Sequence, residues 1–575
     1  MHRTIIDTLS ALIPLDPEVI APLLVRPKDI KQGDFALPCF VLAKTWKLSP
    51  AECAKKLVAE LKPPPSISRV ESVGPYLNFF IDRSTYAKDV LTKILTAKLN
   101  IGKGQDKNET IVLDYSAPNI AKPFHVGHLR TTLIGNALHR IYRHLGYTTV
   151  AINHLGDWGT QFGFVYAGCN LWGRPQNATV DELVTLYQRA NKLRKAQDQN
   201  EVPAEDTGKP NVNEIARDYF RRLEAGEPQA REFWQWCLDI SLDYFKTMYD
   251  RMGINFDYYQ GESFYEDKLA GVQELVRKSG ILEESRGALG VDLGKPLGFA
   301  RMISEDGRSL YIMRDIAAAE YRFHTFKPCK ILYVVGAPQT LHFQQLVAIL
   351  AKMNHPAAEL IVHIPFGTVL GVSTRNATEK GQLLLKDLLD DAHARALKAY
   401  HHEVSKRPQD LDDQAVAEAV GLGAILFSYL SRSNIKDFKF DWDEALNFQG
   451  DTGPYLQYAL ARLHSIAAKA AEQHICYESG FDTNWLTEEE YWDIISQISR
   501  FQEVLEKTAA EYEPYLLANY LLDLARAFSG LYKKARVMGE DNAAAAVARL
   551  ALFDALKYVL HTGLELLGIP PLERM

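Results

Sequence analysis

The sequence predicts an α/β protein: a doubly wound parallel sheet flanked by a smaller N-terminal α/β unit and an all-helical C-terminal unit. Three observations carry this. First, the short apolar or β-branched runs IVLDY (111–115), VAINHLG (150–156), KILYVVG (330–336) and ELIVHIPFG (359–367) alternate with stretches of helical periodicity, as parallel strands joined by crossover helices do. Second, strand runs cease beyond about residue 405. There the segments 414–430, 455–472, 487–512, 516–534 and 542–567 carry apolar stripes at helical spacing, which reads as a bundle. Third, the first hundred residues form their own pattern: a helix over 50–61, a break at Pro63, Pro64 and Pro65, strands ISRVESV (67–73) and YLNFFID (76–82), and a helix over 84–97. The polar, glycine-bearing IGKGQDKNET (101–110) closes that unit as a linker.

These boundaries divide the 575 residues into 1–105, 106–405 and 406–575, consistent with roughly 100–200 residues per domain. Within the central part, 170–290 reads as an insertion. Its stretch NKLRKAQDQNEVPAEDTGKPN (191–211) is charged and poor in apolar residues, so a surface excursion is expected there. REFWQWCLDISLDYFKTMYDRMG (231–253) is an amphipathic helix. The net charge of −7 gives no global basic signature, which leaves nucleic-acid binding to local patches. Six scattered cysteines without a C-x-x-C pair fit a reducing compartment and argue against a disulfide scaffold or a structural zinc. No apolar run reaches the ~18–20 residues of a membrane span, and the acidic residues near the N-terminus do not suit a cleaved leader. A cytoplasmic protein is expected.

The chemistry concentrates in DYSAPNIAKPFHVGHLRTTLIGNAL (114–138), where the first strand of the sheet hands over to a helix at 129–145. Such handovers at strand C-termini are where doubly wound sheets bind ligands. His125 and His128 are three residues apart and share a face of the first turn. The unpaired N–H groups and the helix dipole there attract phosphate, and Gly127 would let a flat base approach the backbone. The prolines keep the approach extended. A pair of half-exposed helix histidines, or a metal pair, are the alternatives on spacing alone. Tyr311 and Asp315, four apart in YIMRDIAAAEYR, are polar positions in an alanine-rich helix. A carboxylate suits bidentate capture of a guanidinium, while an ordinary surface pair is the alternative.

With its neighbours, PNIAKPFHVGH (118–128) fits S-x-P-N-x-A-K-x-x-H-x-G-H-L-R-x-T-x-x-G. It resembles the signature of class I aminoacyl-tRNA synthetases, and its long form resembles that of the arginyl-tRNA synthetases. NHLGDWGTQFG (153–163), GESFYED (261–267), SLYIMRDIAAAEYR (309–322), LHFQQL (341–346), NFQGDTGPYLQYALARLHS (447–465) and LGIPPLERM (567–575) resemble further blocks of that family in the same order. The resemblance implies a Rossmann-like catalytic domain with an additional N-terminal tRNA-contacting domain and a helical anticodon-binding domain. It implies ATP-dependent ligation of L-arginine to tRNA(Arg) through arginyl-adenylate, with ATP and Mg²⁺, no structural zinc and no membrane partner. It also implies a monomer, and that tRNA is bound before arginine is activated efficiently.

Carried over residue by residue, the resemblance assigns catalysis to Lys122, His125, His128, Ser373 and Arg375. ATP would be bound by Lys122, His125, Gly127, His128 and Lys380, and arginine by Asn119, Tyr311, Asp315 and Gln339. Asn78 and Phe80 lie on one strand face, an amide beside a ring that can read and stack on an unpaired base, and the matching domain contacts the outer corner of tRNA. A core Phe with an edge Asn is the alternative. Arg462, Tyr532, Lys533, Lys534 and Met575 would face the anticodon, LYKKAR (531–536) mixing an aromatic with cations.

Two departures stand out. Ala117 sits where some members have serine. The second signature loop, in GTVLGVSTRNATEKGQLLLKDLLDDA (367–392), keeps Ser373, Thr374 and Arg375, but has Val372 for methionine, no lysine in the second-lysine place and extra length over 375–387. Lys122 then becomes the cation for the triphosphate, with Arg375 or Lys380 as helpers, unless Lys380 is merely a solvated loop charge. The altered loop motivates a rival: a catalytically weakened tRNA-binding paralogue. A class I synthetase for another amino acid is a third reading. Tyr311, Asp315 and the lack of zinc ligands argue against a cysteine-specific one.

Overall fold

The computed structural model describes residues 2–25, 27, 32–122, 124–285, 287–304, 310–370, 384–403 and 410–575. In the N-terminal unit, β1 (Phe35–Pro38), β2 (Ile67–Val73) and β3 (Tyr76–Ile81) form an antiparallel sheet in the order β1-β3-β2. Its helix Pro50–Glu60 starts where Ser49 accepts the Glu52 amide and the Glu52 carboxylate accepts the Ser49 amide, a reciprocal cap with proline in the first turn. Helix Arg83–Ala97 is capped by Asp82.

The central sheet is parallel throughout, built from β4 (Thr110–Asp114), β5 (Thr148–Asn153), β6 (Tyr258–Tyr259), β10 (Lys330–Gly336) and β11 (Ile361–Phe366) in the order β11-β10-β4-β5-β6. A small antiparallel sheet of β7 (Glu283–Ser285), β8 (Ala288–Asp292) and β9 (Phe299–Ile303) stands apart from it. Ile111, Val112 and Leu113 on β4 are fully buried, as expected of a strand covered on both faces. One face packs on a cluster that includes Leu113, Leu133 and Leu332 and continues into the C-terminal helices. The other packs on Val112, Ile152, Ile316 and Leu346. Chain direction around the sheet reverses between β4 and β10, so the crevice at their C-terminal ends is the switch point where such folds take ligands.

Helices Asp413–Leu430, Gly453–Glu472, Glu489–Ile498, Phe501–Glu511, Tyr515–Tyr532 and Ala543–Leu566 make the C-terminal bundle. The single helix expected over 487–512 is two, broken at Ser499–Arg500. The hydroxyls of Ser496 and Ser499 turn back onto the carbonyls of Asp493 and Ser496, competing with the helical ladder. The expected surface excursion at 191–211 is also corrected. Residues up to Gln199 belong to helix Val180–Gln199, capped reciprocally by Thr179 and Glu182. The few apolar residues of that stretch and its flanks, Ala190, Leu193 and Val212, are buried together. Nor is 170–290 wholly an insertion, because β6 pairs with β5 in the main sheet. Strand structure likewise persists past 405, where β13 (Phe438–Lys439) runs parallel to β12 (Val369–Leu370). Among the described residues, no helix is long and apolar enough to cross a membrane.

Candidate active site

Past Asp114 the chain enters a strained approach. Ser116, Ala117 and Ala121 take φ of 76°, 48° and 55°, left-handed values that cost a non-glycine residue on the order of 1–3 kcal/mol each. Side chains from three elements hold them there. Ser116 donates its amide to Thr131 Oγ1 at 3.1 Å, and its hydroxyl lies 2.7 Å from Tyr249 OH. Asn153 Oδ1 accepts the Ala117 amide and Ser241 Oγ the Ala121 amide, both at 3.2 Å. Backbone bonds from Ile120 to Gly156 and from Gly156 to Pro118 align Asn119 with Gly156. A Cβ on Gly156 would sit 2.3 Å from Asn119 Oδ1, so this glycine gives the amide its place.

The histidines follow at once. Val126–His128 is a 3₁₀ turn leading into helix Leu129–His144. His125 caps the turn, Nδ1 accepting the Gly127 amide at 3.1 Å, so its remaining proton is on Nε2. The two rings lie 4.0 Å apart at 33°, and His128 also packs against buried Phe124. His128 Nδ1 is buried without a protein partner. Burial, then His125, holds the His128 imidazole down to about 3. Burial, then Lys122, lowers that of His125. Both rings are neutral near pH 7. Lys122 is half-buried beside them and Gly127 is exposed.

The other half of the crevice is acidic. Helix Tyr311–Phe326 presents Tyr311, 53% exposed, and one turn on Asp315, 7% exposed. Helix Thr340–Lys352, which follows β10, brings His342 against both. Its Nε2 lies 2.6 Å from Asp315 Oδ2 and its ring 5.0 Å from that of Tyr311. The Asp315 carboxylate, then burial, pushes the Tyr311 phenol up. Gln339 is exposed on the 3₁₀ turn Ala337–Gln339 at the end of β10.

Sequence reasoning assigned no role to His342, Glu262, Asp157 or Asp114, although LHFQQL, GESFYED, NHLGDWG and DYSAPN contain them. Glu262 is pushed up to about 7, by burial first, with Arg314 opposing and Asp157, Asp315 and Glu266 adding to it. Asp157 is buried and accepts both the amide (2.8 Å) and the hydroxyl (2.6 Å) of Ser263. Asp114, at the end of β4, pairs with the fully buried Arg322 at 2.8 Å.

Ser373, Arg375 and Lys380 lie outside the described residues. The chain on either side is placed: Val369–Leu370 pairs with β13, while Leu384 bridges to His125 and the Leu385 amide donates to the Phe124 carbonyl at 2.8 Å. Among the described residues, one group of three potential metal ligands comes together, Glu320, His324 and His355. There His355 Nδ1 accepts the Ala357 amide, so Nε2 carries the proton that pairs with Glu320 and offers no lone pair to an ion.

The expected RNA-facing residues fall into two places. Asn78 is on the central strand β3 rather than an edge, and is buried, while Phe80 is half-buried with the Arg69 guanidinium 3.8 Å from its ring. In the bundle, Arg462 lies between Tyr458 and Tyr532, 4.6 and 4.7 Å from their ring centroids, and donates to Tyr458 OH at 2.7 Å. Lys533 lines the same cavity of about 410 Å³ with Phe448, Tyr455 and Tyr458, and Met575 packs on the cluster that includes Phe448. Lys534 pairs with Glu490 at 2.8 Å.

Comparison with known proteins matches this architecture along its length. Residues 90–442 match the catalytic domain of tRNA synthetases class I (R), 1–81 the arginyl tRNA synthetase N terminal domain and 456–575 the DALR anticodon binding domain. The arginine–tRNA ligase of Levilactobacillus brevis is 40% identical over 576 residues, covering 99% of this chain and 98% of that one. That of Pediococcus pentosaceus is 39% identical over 552 residues, covering 96% and 95%. The Thermus thermophilus arginyl-tRNA synthetase structure superposes with a TM-score of 0.81 at 25% identity, covering 100% and 99%. The Plasmodium falciparum arginyl-tRNA synthetase structure shares the fold, with a TM-score of 0.77 at 22% identity, covering 96% and 94%. Full-length likeness to arginine–tRNA ligases lends the weakened-paralogue reading no support. With the histidine turn at the switch point and all three domains matched in order, the chain belongs to the arginyl-tRNA synthetases, the class I arginine–tRNA ligases.

Proposed function

We propose that the crevice joins ATP and L-arginine into arginyl-adenylate and then passes the arginyl group to the terminal adenosine of tRNA(Arg), the chain acting as a monomer. The observation that supports this is a pair of neutral imidazoles ring to ring after β4, together with a buried acidic cluster around Asp315 and Glu262. The guanidinium would enter between Tyr311, Asp315 and Glu262. His342 already engages Asp315 Oδ2, so Oδ1 is the oxygen for the ligand. Asn119 would take the α-groups, with Gln339 at the rim. The arginine carboxylate oxygen then attacks the α-phosphorus in line, and the bond from that phosphorus to the bridging oxygen breaks as pyrophosphate leaves. Here positioning and charge stabilisation supply the rate, with no covalent enzyme intermediate.

On this reading His125 Nε2–H donates to phosphate oxygens with the helix dipole behind it, and His128 backs the His125 ring. Lys122 supplies the cation that the altered loop lacks, helped by Ser373, Arg375 and Lys380. Mg²⁺ brought with ATP would supply further charge neutralisation at the triphosphate. The units 1–105 and 406–575 would hold tRNA, the first through Asn78 and Phe80 at its outer corner and the second through Arg462, Tyr532, Lys533 and Met575 at the anticodon. Pyrophosphate exchange measured with each amino acid, with and without tRNA, tests the proposal. Exchange with arginine alone, and only when tRNA is present, is expected. Exchange with another amino acid refutes the pocket, and no exchange with retained tRNA binding favours the paralogue.

A further inference from the structure

Arg130 stands two residues after His128 in the first turn of helix Leu129–His144 and is 1% exposed. It carries a buried charge, yet its direct partners are carbonyls: Nη2 donates to Ser433 O at 3.1 Å and to Lys436 O at 2.7 Å. Its Nε and Nη1 are buried without hydrogen-bond partners, and the guanidinium lies 5.4 Å from the Phe438 ring centroid. The hydrogen bonds that orient this arginine therefore rest on the turn 433–436, where the Lys436 amide closes back onto Ser433 O. The same turn holds a second strand of the site. Gly367 donates to the Asn434 carbonyl at 2.9 Å, and a Cβ on Gly367 would stand 2.5 Å from Ile435 O and from Asp437 Oδ1. From Gly367 the chain runs straight into β12.

The turn is gripped from the C-terminal bundle by one carboxylate. Glu513 accepts the Ser433 hydroxyl at 3.0 Å on Oε1 and the Asn434 amide at 2.9 Å on Oε2. The Asn434 side-chain amide returns the contact to the Tyr512 carbonyl at 2.7 Å, and Asn434 is buried. Tyr512 is the left-handed C-cap of helix Phe501–Glu511, with φ of 58°, and its hydroxyl accepts Lys330 Nζ at 2.9 Å from the start of β10. A short three-residue corner between two bundle helices thus clasps the only turn to which Arg130 is hydrogen-bonded among the described residues.

We propose that Glu513 is a positioning residue for arginyl-adenylate formation, which rests on the function proposed above. It fixes the turn 433–436, and through Arg130 the first turn of the histidine helix. A misplacement of about 1 Å at such a distance from the chemistry lowers rates by on the order of a hundredfold. Tyr311, Asp315 and His342 ride on two other helices, Tyr311–Phe326 and Thr340–Lys352, so arginine binding is spared.

The test compares Glu513→Ala, Glu513→Gln and Ser433→Ala in full-length protein, by arginine-dependent pyrophosphate exchange with saturating tRNA and by backbone amide hydrogen exchange. Glu513→Ala is expected to lower kcat roughly tenfold to a hundredfold with the arginine KM within about twofold, and to deprotect the amides of Gly367, Asn434 and Lys436. Glu513→Gln keeps one acceptor for the Asn434 amide and a donor for the Ser433 hydroxyl, and should return kcat to within about threefold of the starting protein. An unchanged kcat in Glu513→Ala, a matching rise in KM, or a glutamine variant as impaired as alanine each overturns the assignment. If Glu513→Ala does not fold, Ser433→Ala decides: kcat should fall several-fold at constant KM, and an unchanged kcat refutes the clasp. Should the starting protein show no exchange with arginine, the proposed function fails by itself, while amide protection at 433–436 and 367 still decides whether Glu513 holds the turn.

Discussion

The two halves of the crevice solve opposite electrostatic problems with different means. The amino-acid half gathers carboxylates in buried or partly buried positions: Asp315 against His342, Asp157 under Ser263, Asp114 against Arg322, and Glu262 held partly protonated near neutral pH. In the nucleotide half His125 and His128 are both held neutral, and the helix start adds its dipole. A monovalent cation with directional donors is best held by carboxylates. A polyphosphate whose charge moves during reaction is better served by neutral donors and one adjustable cation such as Lys122. On the proposed function, recognition is concentrated on one side and rate on the other.

The sharpest way to break that division is Asp315→Ala. Removing a buried carboxylate that meets a guanidinium costs roughly 2–5 kcal/mol, so the arginine KM is expected to rise between about 30-fold and a few thousand-fold. The effect belongs in binding, with kcat of the saturated enzyme little changed. Steady-state pyrophosphate exchange over a wide arginine range measures both. A loss confined to kcat would move Asp315 from recognition into rate, and near-normal arginine kinetics would remove it from the pocket.

Lys122→Ala probes the other half and should do the reverse. Loss of one preorganised charge donor at a developing oxyanion lowers kcat by about a hundredfold, while the arginine KM stays put. Lys380→Ala is the companion variant. If Lys122→Ala keeps full activity and Lys380→Ala loses it, the cation for the triphosphate comes from the second signature loop.

How much of this was legible beforehand differs between the halves for a physical reason. The histidine turn lies within one contiguous stretch, so its strand, prolines, glycine and helix start could be read in order, and the structure places His125 and His128 ring to ring. The acidic pocket is assembled from four separate segments around 114, 157, 262 and 315. Each carboxylate looks like an ordinary surface acid until the sheet order brings the segments together. Tyr311 and Asp315 were found because one helix carries both; Glu262 and His342 were passed over because their partners are distant in sequence. The strands KILYVVG and ISRVESV emerge with the residues expected; the first is a buried apolar run, and the second, mostly exposed, is bounded by the prolines before it and Gly74 after it. The helix over 191–199 was missed because a charged composition hid its one buried apolar residue, Leu193, which packs with Ala190 and with Val212 of the next helix. The twin glycines Gly156 and Gly367 could not be read at all: each is required by a side chain or backbone that arrives from elsewhere in the fold.

The mildest effect to look for is a proton count, and it separates the halves by sign. Glu262 sits near 7, above its ordinary value, chiefly through burial. Its contribution to stability is complete below pH 4.5 and is lost as pH rises through about 7, because the folded state holds the proton longer than the unfolded chain. His128, held down to about 3, behaves oppositely: its contribution is present above about 6.5 and drains away as pH falls toward 3. A guanidinium arriving beside Glu262 favours the carboxylate, so arginine binding should expel about half a proton at pH 7, close to one near pH 6 and almost none above pH 8.5. Titration calorimetry in buffers of different ionisation heat reads that number directly, and Glu262→Gln should abolish it. ATP binding at the neutral histidine half should show no matching uptake near pH 7. Arginine binding without proton release would place Glu262 outside the guanidinium's reach and leave the pocket to Asp315 and Tyr311.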